Sequence, residues 1–142
     1  MLRVVADANV LISAALARSP NAPSVLTLDA ALDGRLELIT SPLLLREIAS
    51  VLARPRLRKY LSADEALRFV TDLAGQTTLL TDPPTPHPAV CRDPDDDSIL
   101  ETAVTAKANL LVAGDRDLLS PKSFQGIGIV TPVDYLRISL PA

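Results

Sequence analysis

Residues 92–117 read RDPDDDSILETAVTAKANLLVAGDRD, and how this stretch folds decides the reading of the rest. Acids crowd its start, at Asp93, Asp95, Asp96 and Asp97, and return at its end, at Asp115 and Asp117. Asp93 suits a helix N-cap, and Pro94 suits the first helical position, where its missing N–H is no loss. Ile99, Leu100, Ala103 and Val104 then recur at helical spacing. Leu110 to Ala113 predicts a short buried strand, and Gly114-Asp115 a tight turn after it. A helix that opens on carboxylates thus feeds a strand that closes on carboxylates, an arrangement suited to a metal ion.

Upstream, Leu2 to Ala6 is a β-branched, apolar run ending at Asp7, which predicts a first strand with an acid at its carboxyl end. A helix carrying Asn9 and Ser13 follows, with Val10, Leu11, Ala14 and Ala15 as its apolar positions. Ser19 to Pro23 breaks it, and a second helix is expected from about Ser24 to Leu32, stopped at Asp33-Gly34. Leu36 to Thr40 reads as the second strand. Ser41 and Pro42 supply the cap and first residue of a third helix, whose buried face is Leu44, Ile48, Val51 and Leu52. Glu47 sits at the edge of that face, where a carboxylate is costly unless it meets a cation.

Residues 54–60, RPRLRKY, form the dense basic patch of the chain. Ser62 to Glu65 is a capping box opening a helix to about Ala74, and Thr77 to Thr81 is a candidate strand. Near the end, Ile127 to Val130 predicts a strand and Pro132 to Ile138 a short helix. Strands alternating with helices imply an α/β fold: one domain over residues 1–142, a sandwich with a central, largely parallel sheet flanked by helices. Sites in such sheets lie beyond the carboxyl ends of the strands, where Asp7 and Asp115 both fall.

Composition narrows the chemistry. The 142 residues hold one histidine, His87 in a proline-rich loop, and one cysteine, Cys91. Histidine catalysis, zinc binding and an internal disulfide are therefore disfavoured, and a reducing cytoplasm is the expected setting. No apolar run approaches the ~20 residues of a membrane span. The net charge of −3 argues against a general nucleic-acid binder, unless acids concentrated at one site are neutralised by cations. Carboxylates gathered in a partly dry cleft repel, and a divalent cation relieves that repulsion. Mg²⁺ takes oxygen ligands and shares its shell with phosphate, so phosphodiester hydrolysis is the reaction such a site suits.

In order along the chain, residues 4–13 (VVADANVLIS), 42–47 (PLLLRE), 93–97 (DPDDD) and 111–117 (LVAGDRD) resemble the PIN-domain ribonucleases, a family that includes VapC-like toxins of toxin–antitoxin pairs. The resemblance spans nearly the whole chain. It implies a Mg²⁺- or Mn²⁺-dependent endoribonuclease in which Asp7, Glu47, Asp97 and Asp115 are catalytic and hold the metal. Asp117 is a frequent fifth acid, with Asn9 and Ser13 as supporting polar groups. Arg46, Arg54, Arg56, Arg58 and Lys59 are the candidates for gripping the RNA backbone. The partners implied are RNA, a small antitoxin protein and a second copy of the chain. Two positions depart from the family pattern: Ala8 and Ala113 stand where Thr or Ser is frequent.

Four other readings compete. A housekeeping RNA-processing nuclease would lack the antitoxin, and a degenerate PIN-like binding domain would lack the activity. A phospho-acceptor receiver domain needs an acid ending a mid-chain strand, where this chain has Thr40-Ser41, and a lysine after its last strand, which is missing. A topoisomerase–primase-type domain would use Asp115 and Asp117 as its D-x-D pair, but wants a glutamate at a strand end rather than in a helix.

Overall fold

The computed structural model describes residues 2–80, 94–114 and 123–139, with backbone alone for 94–98, 124 and 139. Strand β1, Leu2–Ala6, is followed by helices α1, Ala8–Leu16, and α2, Pro23–Leu32. Strand β2, Leu36–Thr40, leads into α3, Pro42–Leu52, and a short 3-10 turn, Pro55–Leu57, leads to α4, Ala63–Gln76. Strand β3 is Thr78–Leu79, shorter than the expected run over 77–81. Helix α5, Pro94–Thr105, precedes β4, Leu110–Val112, then β5, Ser123–Phe124, β6, Ile127–Val130, and α6, Pro132–Ser139.

The sheet order is β3-β2-β1-β4-β6-β5. Its first five strands run parallel, and β5 pairs antiparallel at the edge. Strand β1 is central, with Val5 opposite Ile39 on one side and Leu111 on the other. Covered on both faces, such a strand needs an uninterrupted apolar run, and Val4 and Val5 are fully buried. Ile39, Leu111 and Val112 join them, with Ile48 and Leu52 from α3. Each of these aliphatic side chains stabilises the fold by roughly 1.5–3 kcal/mol relative to exposure. Tyr135 is the one aromatic buried with them among the described residues. No helix of the described residues is long and apolar enough to cross a membrane.

Local chemistry sets the helix ends. Gly34, at φ 77°, closes α2: its N–H donates to the Ala31 carbonyl, and that of Arg35 to the Ala30 carbonyl. Helix α5 closes in the same way, but Lys107 occupies the left-handed position at φ 54°. The Ser41 hydroxyl accepts from the Leu44 N–H at 3.1 Å and caps α3. The reciprocal capping box of Ser62 and Glu65 opens α4, as its sequence indicates.

Strand β5 is the element the sequence does not announce. It is two residues long and joins β6 through Gln125 and Gly126, both at positive φ (48° and 84°). That is the backbone of a two-residue hairpin turn, although Gln is an unusual residue for it.

Candidate metal centre at the carboxyl ends of the strands

Asp7 follows the last residue of β1 and stands at the N-cap position of α1. Its backbone is tied on both sides. The Asp7 N–H donates to the Val112 carbonyl at 2.9 Å, and the Asp7 carbonyl accepts from Val10 and Leu11. Aspartate is a favoured capping residue, yet this carboxylate makes no cap hydrogen bond. It is buried at 7% exposure, and its Oδ2 atom receives no hydrogen bond among the described residues. A carboxylate enclosed without capping the adjacent helix is a candidate for a role in a site. The positive end of the α1 dipole favours its charge.

Neighbouring strands end in the same layer. Thr40 and Ser41, both buried, close β2 and start α3. The Thr77 hydroxyl donates to the Leu73 carbonyl at 2.6 Å, so the 2.8 Å contact between Thr40 and Thr77 has Thr40 as donor. That bond pins the end of β2 to the end of α4. On the other side, the Ala113 N–H donates to the Val130 carbonyl at 2.8 Å, fixing the chain just before Gly114. Glu47 is half-buried on α3, a helix that leaves from this layer and packs against α1. Asn9 and Ser13 are exposed on α1, four residues apart and so on one face of it.

Helix α5 reaches the layer from below. Its C-terminal turn is clasped to the opposite end of the sheet: Arg3 Nε donates to the Ala106 carbonyl and the Asn109 N–H to the Arg3 carbonyl. The Arg3 N–H in turn donates to Asn109 Oδ1 at 2.8 Å. The 12 residues of α5 rise about 18 Å, roughly the length of the five-residue β1 beside it. Its acidic first turns, with Asp97, therefore lie toward the carboxyl ends of β1 and β4. The side chain of Asp97, and the whole of Asp93, Asp115 and Asp117, lie outside the described residues, as do His87 and Cys91. The described residues alone contain no cluster of three acids fit to hold a metal. Ala113 and Gly114, the described residues that leave β4, stand beside Asp7, since Ala6 and Val112 are register partners.

Glu101 is a residue that reading the sequence passed over. It is buried at 6% exposure on α5, four positions after Asp97 and hence on the same face. The signal was a carboxylate inside an otherwise apolar helical repeat. Ala8 and Ala113, the two departures from the family pattern, are buried at 2% and 0%, where a hydroxyl would have to be hydrogen-bonded.

The basic residues divide. Arg46, Arg54, Arg56 and Lys59 are exposed. Arg58 instead turns its guanidinium inward, donating to the Leu52 and Leu61 carbonyls and so holding the turn between α3 and α4.

The donor set fits a hard divalent cation. Asp7 and Glu47 offer oxygen, and the topology carries the backbone of α5 and of β4 toward the same end, each with further acids in sequence. Known proteins resemble this chain in sequence and in fold. The PIN domain family matches residues 3–117. An uncharacterized protein of Methanocaldococcus jannaschii, MJ1680, is 34% identical over 119 residues, covering 84% of this chain and 74% of that one. The crystal structure of PAE2754 from Pyrobaculum aerophilum superposes with a TM-score of 0.61 at 19% identity, over 97% of this chain and 90% of that chain. The last likeness concerns the fold. PIN domains are generally nucleases that use divalent metals.

Proposed function

The chain belongs to the PIN-domain family, and from that premise we propose that it is a metal-dependent endoribonuclease, with residues 1–142 forming one catalytic domain. The observation that carries the reading is Asp7: a buried carboxylate at the end of the central strand, held by backbone bonds on both sides and not used to cap its helix. Asp7, Glu47, Asp97 and Asp115 would hold Mg²⁺ or Mn²⁺, with Asp117 as an additional acid. When bound, the cation activates water and stabilises the leaving oxygen of the phosphodiester.

The chain's own residues do the rest. The hydrogen bonds from Asp7 to Val112 and from Ala113 to Val130 keep the strand ends in register, which supports a backbone at Asp7 already in place before a metal binds. Asn9 and Ser13, one turn apart on α1, supply polar groups beside the first acid. Exposed Arg46, Arg54, Arg56 and Lys59 offer charge to an RNA backbone that the acid end would repel.

The test is cleavage of a mixed RNA substrate by purified protein with Mg²⁺, Mn²⁺ or EDTA, beside Asp7→Asn. Cutting that needs metal and disappears in the variant supports the reading. Cutting that persists in the variant or in EDTA, or no cutting with either metal, overturns it. Within the reading, a toxin of a toxin–antitoxin pair is the version we favour, because the basic run at residues 54–59, RPRLRK, resembles a feature of one bacterial PIN subgroup of toxins. It predicts a small antitoxin that binds over the acid end and inhibits cutting, and a homodimer detectable by sedimentation. A housekeeping nuclease working in the same cytoplasm would have no such inhibitor.

A further inference from the structure

Tyr60 follows the basic run and stands 48% exposed, while Tyr135 is buried. Two cations gather on its ring. The Arg18 guanidinium carbon lies 5.6 Å from the ring centre and the Lys59 ammonium 5.1 Å. Arg18 is 42 positions away from Tyr60 in sequence and comes from just beyond the end of α1, so this grouping is a product of the fold. Both cations are exposed, and neither forms an ion pair among the described residues. Arg54 and Arg56, also exposed, stand at the start of the same run, which holds four cations and no acid over residues 54–60. Like charges held around one ring repel, and an anion between them would turn that repulsion into attraction.

The placement says which anion. Helices α1 and α3 both start in the acid layer and pack side by side. Their far ends are where Arg18 and Tyr60 meet. The nine residues of α1 rise about 14 Å, so the basic group stands one helix length from Asp7. Stacked nucleotides of one strand advance roughly 3.4 Å each along the strand axis, so that distance is about four nucleotides.

We propose that Arg18 and Lys59, held on the ring of Tyr60 and joined by Arg54 and Arg56, form a subsite for the backbone of single-stranded RNA, about four nucleotides from the scissile phosphate. The subsite deepens the nuclease reading, on which its distance from the cut depends. Tyr60 acts as a positioning residue: its ring keeps two long, flexible side chains where successive phosphates pass.

The experiment measures anisotropy of a fluorescein-labelled single-stranded RNA of about eight nucleotides, twice the expected span, in EDTA over a range of salt. Wild type, Arg18→Gln/Lys59→Gln, Tyr60→Leu, Tyr60→Phe and Asp7→Asn are compared, each first checked for a melting temperature no lower than that of the wild type. The double variant is expected to bind about tenfold more weakly at low salt. Its slope of log affinity against log salt falls by about 1.4, for two lost phosphate contacts on a single strand. Tyr60→Phe keeps wild-type binding and Tyr60→Leu lowers it. An unchanged slope in the double variant, equal losses in Tyr60→Phe and Tyr60→Leu, or wild-type preference for polyglutamate over RNA overturns the proposal. Binding is read without metal, so it stands apart from cutting. If Mg²⁺ or Mn²⁺ gives no Asp7-dependent cleavage while the slope still falls, the nuclease reading fails and the subsite stands.

Discussion

The backbone N–H of Asp7 donates to the carbonyl of Val112 at 2.9 Å, so the first acid of the chain is positioned by a strand more than 100 residues later. The backbone of Asp7 is thereby fixed on β4, and its side chain does not cap α1.

Replacing Asp7 by Asn preserves shape and removes charge. Metal-dependent cleavage should fall by more than about 100-fold, beyond the roughly 10–100-fold typical of groups that merely support a ligand. In EDTA the variant should melt at or above the wild-type temperature, because an enclosed charge has been removed. Mg²⁺ or Mn²⁺ should raise the melting temperature of the wild type and not that of the variant, since metal binds the folded state alone. A variant that loses activity and several degrees of stability together would make Asp7 a structural residue.

Ser41→Ala removes the cap of α3 and leaves the Leu44 N–H without its acceptor at a buried site. Urea denaturation should show a loss of about 1–2 kcal/mol. Because α3 carries Glu47, cleavage should fall as well. A stability change under ~0.3 kcal/mol would mean that water replaces the cap, within the small losses seen when a cap becomes Gly.

Lys107 holds a left-handed conformation that costs an ordinary residue about 1–2 kcal/mol, against roughly 0.5–1 kcal/mol for the extra freedom that glycine loses. Lys107→Gly should therefore stabilise the protein, by about 0.5–1 kcal/mol in chemical denaturation. Lys107→Ala should leave the strain in place and change little.

The Glu65 carboxylate lies below its ordinary value of 4.5, first because it accepts the Ser62 backbone N–H and then the Ser62 hydroxyl, with Arg68 nearby. A depressed folded value means that the stabilisation is present above the unfolded pKa and is lost as pH falls through the folded one. The stability gap between wild type and Glu65→Ala should be constant near neutrality and shrink as pH drops below about 4.5. A gap that widens in acid would show that the capping box does not hold in solution.

Much of this fold is written locally. Ser41-Pro42, Ser62 to Glu65 and Asp33-Gly34 each state a helix boundary through short-range hydrogen bonding, and all three boundaries fall where the sequence places them. Central strands are equally legible, because burial on both faces demands apolar runs such as Leu2–Ala6. What the sequence conceals is what depends on packing. Strand β5 has two residues and a Gln where hairpin turns favour Asn or Gly. The meeting of Arg18 with Tyr60 depends on α1 and α3 lying side by side. Glu101 is hidden in an apolar repeat. At the acid end, residue type pointed to Asp7 and Glu47, and the structure adds the strand register that holds the first of them.

The 106-residue separation between Arg3 and Asn109 has a consequence in time. A ribosome adding about 5–20 residues per second needs roughly 5–20 s to pass from the first strand to its β4 neighbour. Throughout that interval β1 can pair with β2, but Asp7 has no Val112 to hold it. Under the nuclease reading, the RNA nearest the emerging chain is its own message. A stalled chain ending at Ala108 should accordingly bind no metal and cut nothing, whereas the full 142 residues should do both. Under that reading, the late arrival of β4 beside β1 also delays the site.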